Sequence, residues 1–324
     1  MYLKTNNKGV VLISVLLIIL LLSSIAVIIG NNYLISLKRA SYLEFQSTSL
    51  NIFKNLESLA LKKIDIELKF NSNKLARNNP LLNNDLYFET DGGVVTAKIS
   101  DNSNCFNINA LVIKNKKNYI ENKKSIDAFR KFMAFHSVDN NVVEEMIDQV
   151  IDWIDLDSDP RAYGLEDYFY SGPLNNPKEY TGRRLFFSVD ELKGIPAFKK
   201  VDWKIIKNNF CSINTNSDLT LNLNTLNLDD SFLLSSLFPN LTLSEAEYII
   251  DTIPDEGIEN INSLKSIHPM KDFEAPYGNI KFSSSTFDLT TVINHDNFSA
   301  ISISKINHDK NKNSYIISRT YNGI

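Results

Sequence analysis

Carboxylates at regular intervals are the sharpest chemical spelling in the chain. Asp155, Asp157 and Asp159 alternate with other residues, Glu166 stands at the twelfth place counted from Asp155, and Asp167 follows it. A hard divalent cation wants about six to eight oxygen ligands, and acids at the first, third, fifth and twelfth places of a loop supply them. The pattern predicts a Ca²⁺ loop with Asp155, Asp157, Asp159, Glu166 and Asp167 as ligands. Two residues oppose it: Pro160 takes the sixth place, where such loops turn on Gly, and Arg161 the seventh. From Asp139 to Tyr170 ten acids face one base, Arg161. So much like charge repels itself unless water or a bound cation screens it. A solvated acidic loop without metal is the alternative.

Other chemistry is sparse. His136, His268, His295 and His308 are isolated, no Ser/His/Asp or Gly-rich phosphate spelling accompanies them, and no enzyme is expected. The string EAEYIIDTIPDEGIENINSL (245–264) resembles a helix-hairpin-helix, a module that elsewhere grips DNA backbone. Between Asp229 and Glu274, however, ten acids stand against Lys265 and Lys271, a surface that repels phosphate. With a net charge of −4 over 324 residues, no nucleic-acid partner is expected. Cys105 and Cys211 are the two cysteines. In an oxidising compartment they read as one disulfide, in a reducing one as two unlinked buried thiols.

The element that must carry all this begins at Val10. Val10 to Ile29 has no charge, Pro or Gly, and at about 1.5 Å per residue such a helix matches a hydrocarbon layer roughly 30 Å thick. A short basic leader precedes it, Met1 to Gly9, with Lys4 and Lys8 on the expected cytoplasmic side. The run ends in Gly30-Asn31-Asn32-Tyr33, a poor A-x-A cleavage signal, so processing is better placed before the run than after it. Beyond it, Leu34, Leu37, Phe45, Ile52, Leu56 and Leu59, with Phe53, Ala60 and Ile64 beside them, predict an amphipathic continuation to about Phe70. An Asn-rich loop follows. Leu86–Thr90 and Val94–Ile99 flank Asp91-Gly92-Gly93 and predict a β-hairpin. Helix punctuation follows from Ser125, with a second helix capped at Asn140 or Asn141, a capping box at Ser188 to Glu191, and a helix opening at Ser244. FSVDELKGIPAF (187–198) and IENINSLKSIHPM (258–270) echo one another and predict two related helical units. Strands return at 285–293, 298–306 and 314–321.

Several segments together resemble the K-type minor pseudopilins of type II secretion. They are Gly9-Val-Val-Leu-Ile-Ser-Val-Leu-Leu, Cys105-Phe-Asn-Ile-Asn-Ala-Leu111, Asp152-Trp-Ile-Asp-Leu-Asp157, Gly164-Leu-Glu-Asp-Tyr168, Ser188-Val-Asp-Glu-Leu192, Leu221-Asn-Leu-Asn-Thr-Leu226 and 243–264. Leu165 departs from the family's usual Gly-Ala-Glu-Asp. The resemblance implies an α+β fold: a pilin-like N-terminal helix on an antiparallel sheet, with a large all-α domain of tandem SAM-like or helix-hairpin-helix-like units inserted. On that plan 1–9 is leader, 10–29 membrane span and 30–70 spine; 71–112 opens the α/β domain, 113–275 is the insertion and 276–324 the closing strands. The resemblance further implies a single-pass inner-membrane protein with its bulk in the periplasm. A prepilin peptidase would cut between Gly9 and Val10, and the I- and J-type minor pseudopilins and other pseudopilins would be partners. Most pilin-like subunits carry Glu at mature position five, where it neutralises the N-terminal amine of the subunit ahead; Ser14 stands there, as a tip subunit would show. Calcium-binding family members support the metal reading. A minor pilin of a type IV pilus is one alternative, and an uncleaved, membrane-tethered periplasmic binding protein another.

Overall fold

The computed structural model describes residues 8–71, 73–90, 93–174, 176–213, 218–267, 277–296, 298–309 and 312–323. The leader residues 1–7, the turn residues Asp91 and Gly92, and His268 with the tail of the second echo lie outside them.

The span and its continuation form one helix, α1 (Lys8–Phe70). No Pro interrupts it, and its lower part, from Val10 through Leu43, is exposed on every face. Further along, Phe45, Phe53, Leu56, Ala60, Ile64 and Leu68 are buried. Spacings of three, four and eight keep them on one stripe. Leu34 and Leu37 are exposed because they lie below the region the sheet covers, and Leu59 because it sits off the stripe. After α1 come α2 (Pro80–Asn83), β1 (Leu86–Thr90), β2 (Gly93–Asp101), β3 (Phe106–Asn107), β4 (Val112–Asn115), β5 (Asn118–Glu121), α3 (Lys123–Phe135), α4 (Asn140–Ile154), α5 (Asp167–Tyr170), α6 (Trp203–Asn209), β6 (Phe210–Cys211), β7 (Thr220–Asn222), α7 (Ser231–Leu237), α8 (Leu243–Thr252), α9 (Ile261–Ile267), β8 (Asn279–Lys281), β9 (Thr286–His295), β10 (Phe298–Asp309) and β11 (Lys312–Asn322).

One antiparallel sheet in the order β1-β2-β9-β10-β11 covers the spine. Early and late strands thus share it, with β2 beside β9. Its inner face (Val95, Ala97, Ile99, Phe287, Leu289, Ile293, Ala300, Ile306) closes on the α1 stripe to form one core. Glu57 of α1, though buried, accepts hydrogen bonds from Arg319 Nε of β11 at 2.8 and 3.0 Å and from Ser304 Oγ at 2.6 Å.

A predominantly helical head is set between β2 and β9 and has its own core, running from Phe106 to Leu264. It starts earlier than residue 113, because Phe106, Ile108 and Leu111 are fully buried in that core. It also ends later than residue 275, because β8 pairs in parallel with β7 of the head and the sheet resumes only at Thr286. Two further pairings, β3 with β6 and β4 with β5, join the helices. The stretch after Phe70 that reads as a loop contains α2 and wedges spine against head. Leu75 N–H donates to Phe282 O at 2.8 Å, and Arg77 donates to Ile250 O at 2.6 Å. Where the chain leaves the sheet, Asp101 accepts from Ser284 Oγ at 2.6 Å and from Asn222 Nδ2 at 2.9 Å, strapping exit to return.

The head is built twice from one plan. β3 and residues 108–111 lead to α3 and α4, then to Phe186, a capped turn of helix and β6. β7 and residues 223–225 lead to α7 and α8, then to Ile258, α9 and β8. Asn109 clamps Phe186 in both directions, accepting its N–H at 2.8 Å and donating to its carbonyl at 2.9 Å. Asn224 clamps Ile258 in the same way, both at 2.8 Å. Within the echo, Leu192 and Leu264, each six residues past the clamped one, are both buried.

Candidate functional site

The acidic loop leaves α4 at its C-terminal end. Asp139 caps that helix, accepting from Asn141 N–H, and Val143, Ile147, Val150, Ile151 and Ile154 anchor it in the head core. A rigid helix therefore presents Asp148, Asp152 and Asp155 to the loop. Within the loop, ligand oxygens of Asp155, Asp157 and Glu166 all lie within 4.8 Å of one another. Glu166 is 1% exposed and Asp155 7%, and neither oxygen of Glu166, nor Oδ1 of Asp155, meets a hydrogen-bond donor among the described residues. A buried carboxylate without donors is costly. Burial, reinforced by the neighbouring Asp152, Asp155, Asp167 and Asp157, raises Glu166 to about 7. Burial followed by Asp157 raises Asp155 to about 6, and burial raises Asp152 to about 7 even though Arg161 N–H donates to it. Oxygen-only donors, three carboxylates and buried lone pairs without partners fit a hard cation such as Ca²⁺.

The other acids of the spacing pattern are employed differently. Asp159 is exposed, and its N–H donates to Asp157 Oδ1 at 3.1 Å. Asp167 opens α5 and fastens the end of the loop: its Oδ1 accepts from Thr181 N–H and Oγ, both at 2.8 Å, and its Oδ2 from Arg183 at 2.8 Å. Arg161, which stood against a cation loop in the sequence, turns away to Asp148 at 2.9 Å and Glu121 at 2.6 Å. Asp152 is the acid the spacing pattern missed. It lies one helical turn before Asp155, and Gly164 passes so near that a Cβ there would stand 1.8 Å from its Oδ2. Helical i, i+3 spacing was the available signal.

Cys105 and Cys211 form a disulfide with Cα atoms 5.7 Å apart. It joins the residue just before β3 to the last residue of β6, within the head and well before the chain returns to the sheet at Thr286. Gly9 and Val10 lie in the first turns of α1, and Ser14 turns its hydroxyl back to donate to Val11 O at 2.8 Å. α1 is the one helix among the described residues long and apolar enough to cross a membrane.

Comparison with known proteins agrees with this architecture. Residues 104–213 match the family model for type II secretion system protein K. The type II secretion system protein K of Pectobacterium carotovorum is 28% identical over 183 residues, 56% of this chain and 55% of that protein, so the match spans about half the relative's length. The putative type II secretion system protein K of Escherichia coli K12 is 24% identical over 256 residues, 79% of this chain and 77% of the relative. Among solved structures, a chain of the GspK-GspI-GspJ complex from the type 2 secretion system of enterotoxigenic Escherichia coli superposes with a TM-score of 0.74 at 19% identity, covering 88% of this chain and 99% of that one. At that identity the likeness establishes a shared fold. The family model and these relatives agree with the resemblance to type II secretion system protein K read from the sequence, and the solved structure agrees with the fold that the resemblance implies.

Proposed function

We propose that this chain is a minor pseudopilin that occupies the tip of a periplasmic pseudopilus and helps to start its assembly for export of proteins across the outer membrane. Residues 10–29 hold it in the inner membrane, prepilin peptidase cuts after Gly9, and the I- and J-type minor pseudopilins join it before the fibre grows. The observation that carries this reading is the head. It is a second core set beside a sheet-covered spine, and a subunit broadened in this way caps a stack of helices better than it sits within one. Ser14 supports the same place, since a subunit with none ahead has no N-terminal ammonium to neutralise, and a bare charge in lipid is costly. The partners follow from the GspK-GspI-GspJ complex whose K chain shares this fold. Co-expression with I- and J-type subunits from the same source tests it. Recovery of a complex of the three, and loss of pseudopili when this chain is withheld, support the reading; pseudopili that assemble normally without it overturn it.

Ca²⁺ is the proposed ligand of Asp155, Asp157 and Glu166. The ion would supply the positive charge that lets three carboxylates share one partly buried place. Terbium, a Ca²⁺ mimic excited through the nearby Trp153 and Tyr170 rings, reports on it directly. Sensitised emission that Glu166→Gln removes supports the site, and no emission at millimolar terbium ends it.

A further inference from the structure

The two units of the head are not equal in one place. Residues 155–185 stand between α4 and the clamped Phe186, where the second unit passes from α8 to the clamped Ile258 through residues 253–257 alone. The short connection does all the fold needs: it turns at Gly257 (φ 70°), buries Ile253, and delivers Ile258 to Asn224. The long one returns to its own starting point, because Arg183 N–H donates to Trp153 O at 2.9 Å and closes residues 155–182 into a side excursion.

The excursion gives the head little in return. Leu156, Tyr163, Tyr168, Phe169, Leu174 and Tyr180 are exposed. Tyr170, packed on Trp153 at 5.2 Å, is the large apolar side chain of the excursion that is fully buried in the head core, with Leu165 partly so. What organises the excursion is polar. Asp167 holds Thr181 and Arg183, Asp148 accepts from Arg161 and from Tyr163 N–H, and the carboxylates of Asp155, Asp157 and Glu166 converge. With Glu166 and Asp155 buried and without donors, the excursion has reason to open when no cation is held, whereas α4, anchored by its apolar face, has none.

We infer that residues 155–182 are an accessory element mounted on a self-sufficient two-unit head, and that the cation governs the order of this element and not the folding of the head. The inference rests on the Ca²⁺ reading above for its second half only; the first half stands on the internal comparison.

Hydrogen exchange of the full chain in mild detergent, with Ca²⁺ and with chelator, tests the second half. The expected result is exchange faster by about tenfold or more within 155–182, with α3, α4, α7 and α8 unchanged. Protection lost in those four helices on chelation overturns it, as does exchange that is identical everywhere. The first half is tested by a chain in which 155–182 are replaced by a short Gly-Ser-Gly turn, so that Arg183 still follows α4 and Leu185 stays in the head core. It is expected to keep the helical circular dichroism and cooperative melting of the chelated parent while losing terbium emission. A shortened chain that does not fold overturns the self-sufficiency of the head. Absent terbium emission from the parent overturns the Ca²⁺ reading and leaves this second result to stand or fall by itself.

Discussion

Breaking the Cys105–Cys211 bridge is expected to weaken the head while leaving spine and sheet in place. The two residues are separated by 106 positions in sequence. In the chain-entropy model, closing a loop of that length removes about 16 cal/mol/K from the unfolded ensemble, or about 4.8 kcal/mol at room temperature. Measured values commonly fall short of that figure, so about 2–5 kcal/mol is the expected loss. Cys105→Ala with Cys211→Ala is the cleaner perturbation, since it leaves no stray thiol and both sites are buried. In native protein the β3–β6 pairing and the bonds from Asn107 to Ile213 remain, so the fold itself should persist. Urea unfolding in mild detergent, followed through Trp153 and Trp203, both in the head, reads the change. With a slope of about 2–3 kcal/mol/M the midpoint should fall by about 1–2 M. The same drop should appear when the parent is unfolded in reductant. A midpoint unchanged within about 0.2 M, or two thiols titrating in denatured, unreduced protein, would refute the reasoning.

Two further outcomes follow from buried charges in the sheet domain. Arg319→Ala leaves Glu57 buried with Ser304 as its remaining partner. Because the guanidinium is itself 43% exposed, the expected loss is toward the low end of the range for breaking a buried pair, about 3 kcal/mol, read as a lower melting temperature that Arg319→Ala with Glu57→Gln partly restores. No restoration would mean that the pair contributes nothing specific. Asp288, which accepts from Asn102 at 2.8 Å, is raised by burial to about 6. An acid whose folded pKa lies above its unfolded value costs stability as pH rises, the cost growing between the ordinary carboxylate range and about 6 and staying full above it. Asp288→Asn should therefore stabilise at pH 7.5 and lose that advantage by pH 4; a gain independent of pH would contradict it.

Much of this was legible in the residues because it depends on local pattern. The uncharged run from Val10, the Gly-containing turn before β2, the Ser188 capping box and the echo between 187–198 and 258–270 each rest on neighbours in sequence, and the capping box and the echo's described part recur in the structure. What was not legible depends on distant partners. β3, β6, β7 and β8 are two or three residues long and exist through pairing with remote chain, so they carry no periodicity of their own. Asn109 and Asn224 read as ordinary turn residues until Phe186 and Ile258 are seen docked on them. The helix read as opening at Ser244 is capped two residues earlier, because Thr242-Leu-Ser-Glu245 completes a reciprocal box. In the acidic loop, spacing identified Asp155, Asp157 and Glu166, but it could not tell that Asp159 turns to solvent, that Asp167 serves Thr181, or that Arg161 faces the other way.

The account depends most on α1 being kept whole after the leader is removed, so that it can pass from lipid into a bundle of similar helices. Intact-mass and N-terminal sequencing of the protein from cells with and without prepilin peptidase measures this directly. Val10 as the first residue where the peptidase is present, and Met1 where it is absent, is the result the account predicts. Met1 in both, or a terminus beyond Ile29, would contradict it.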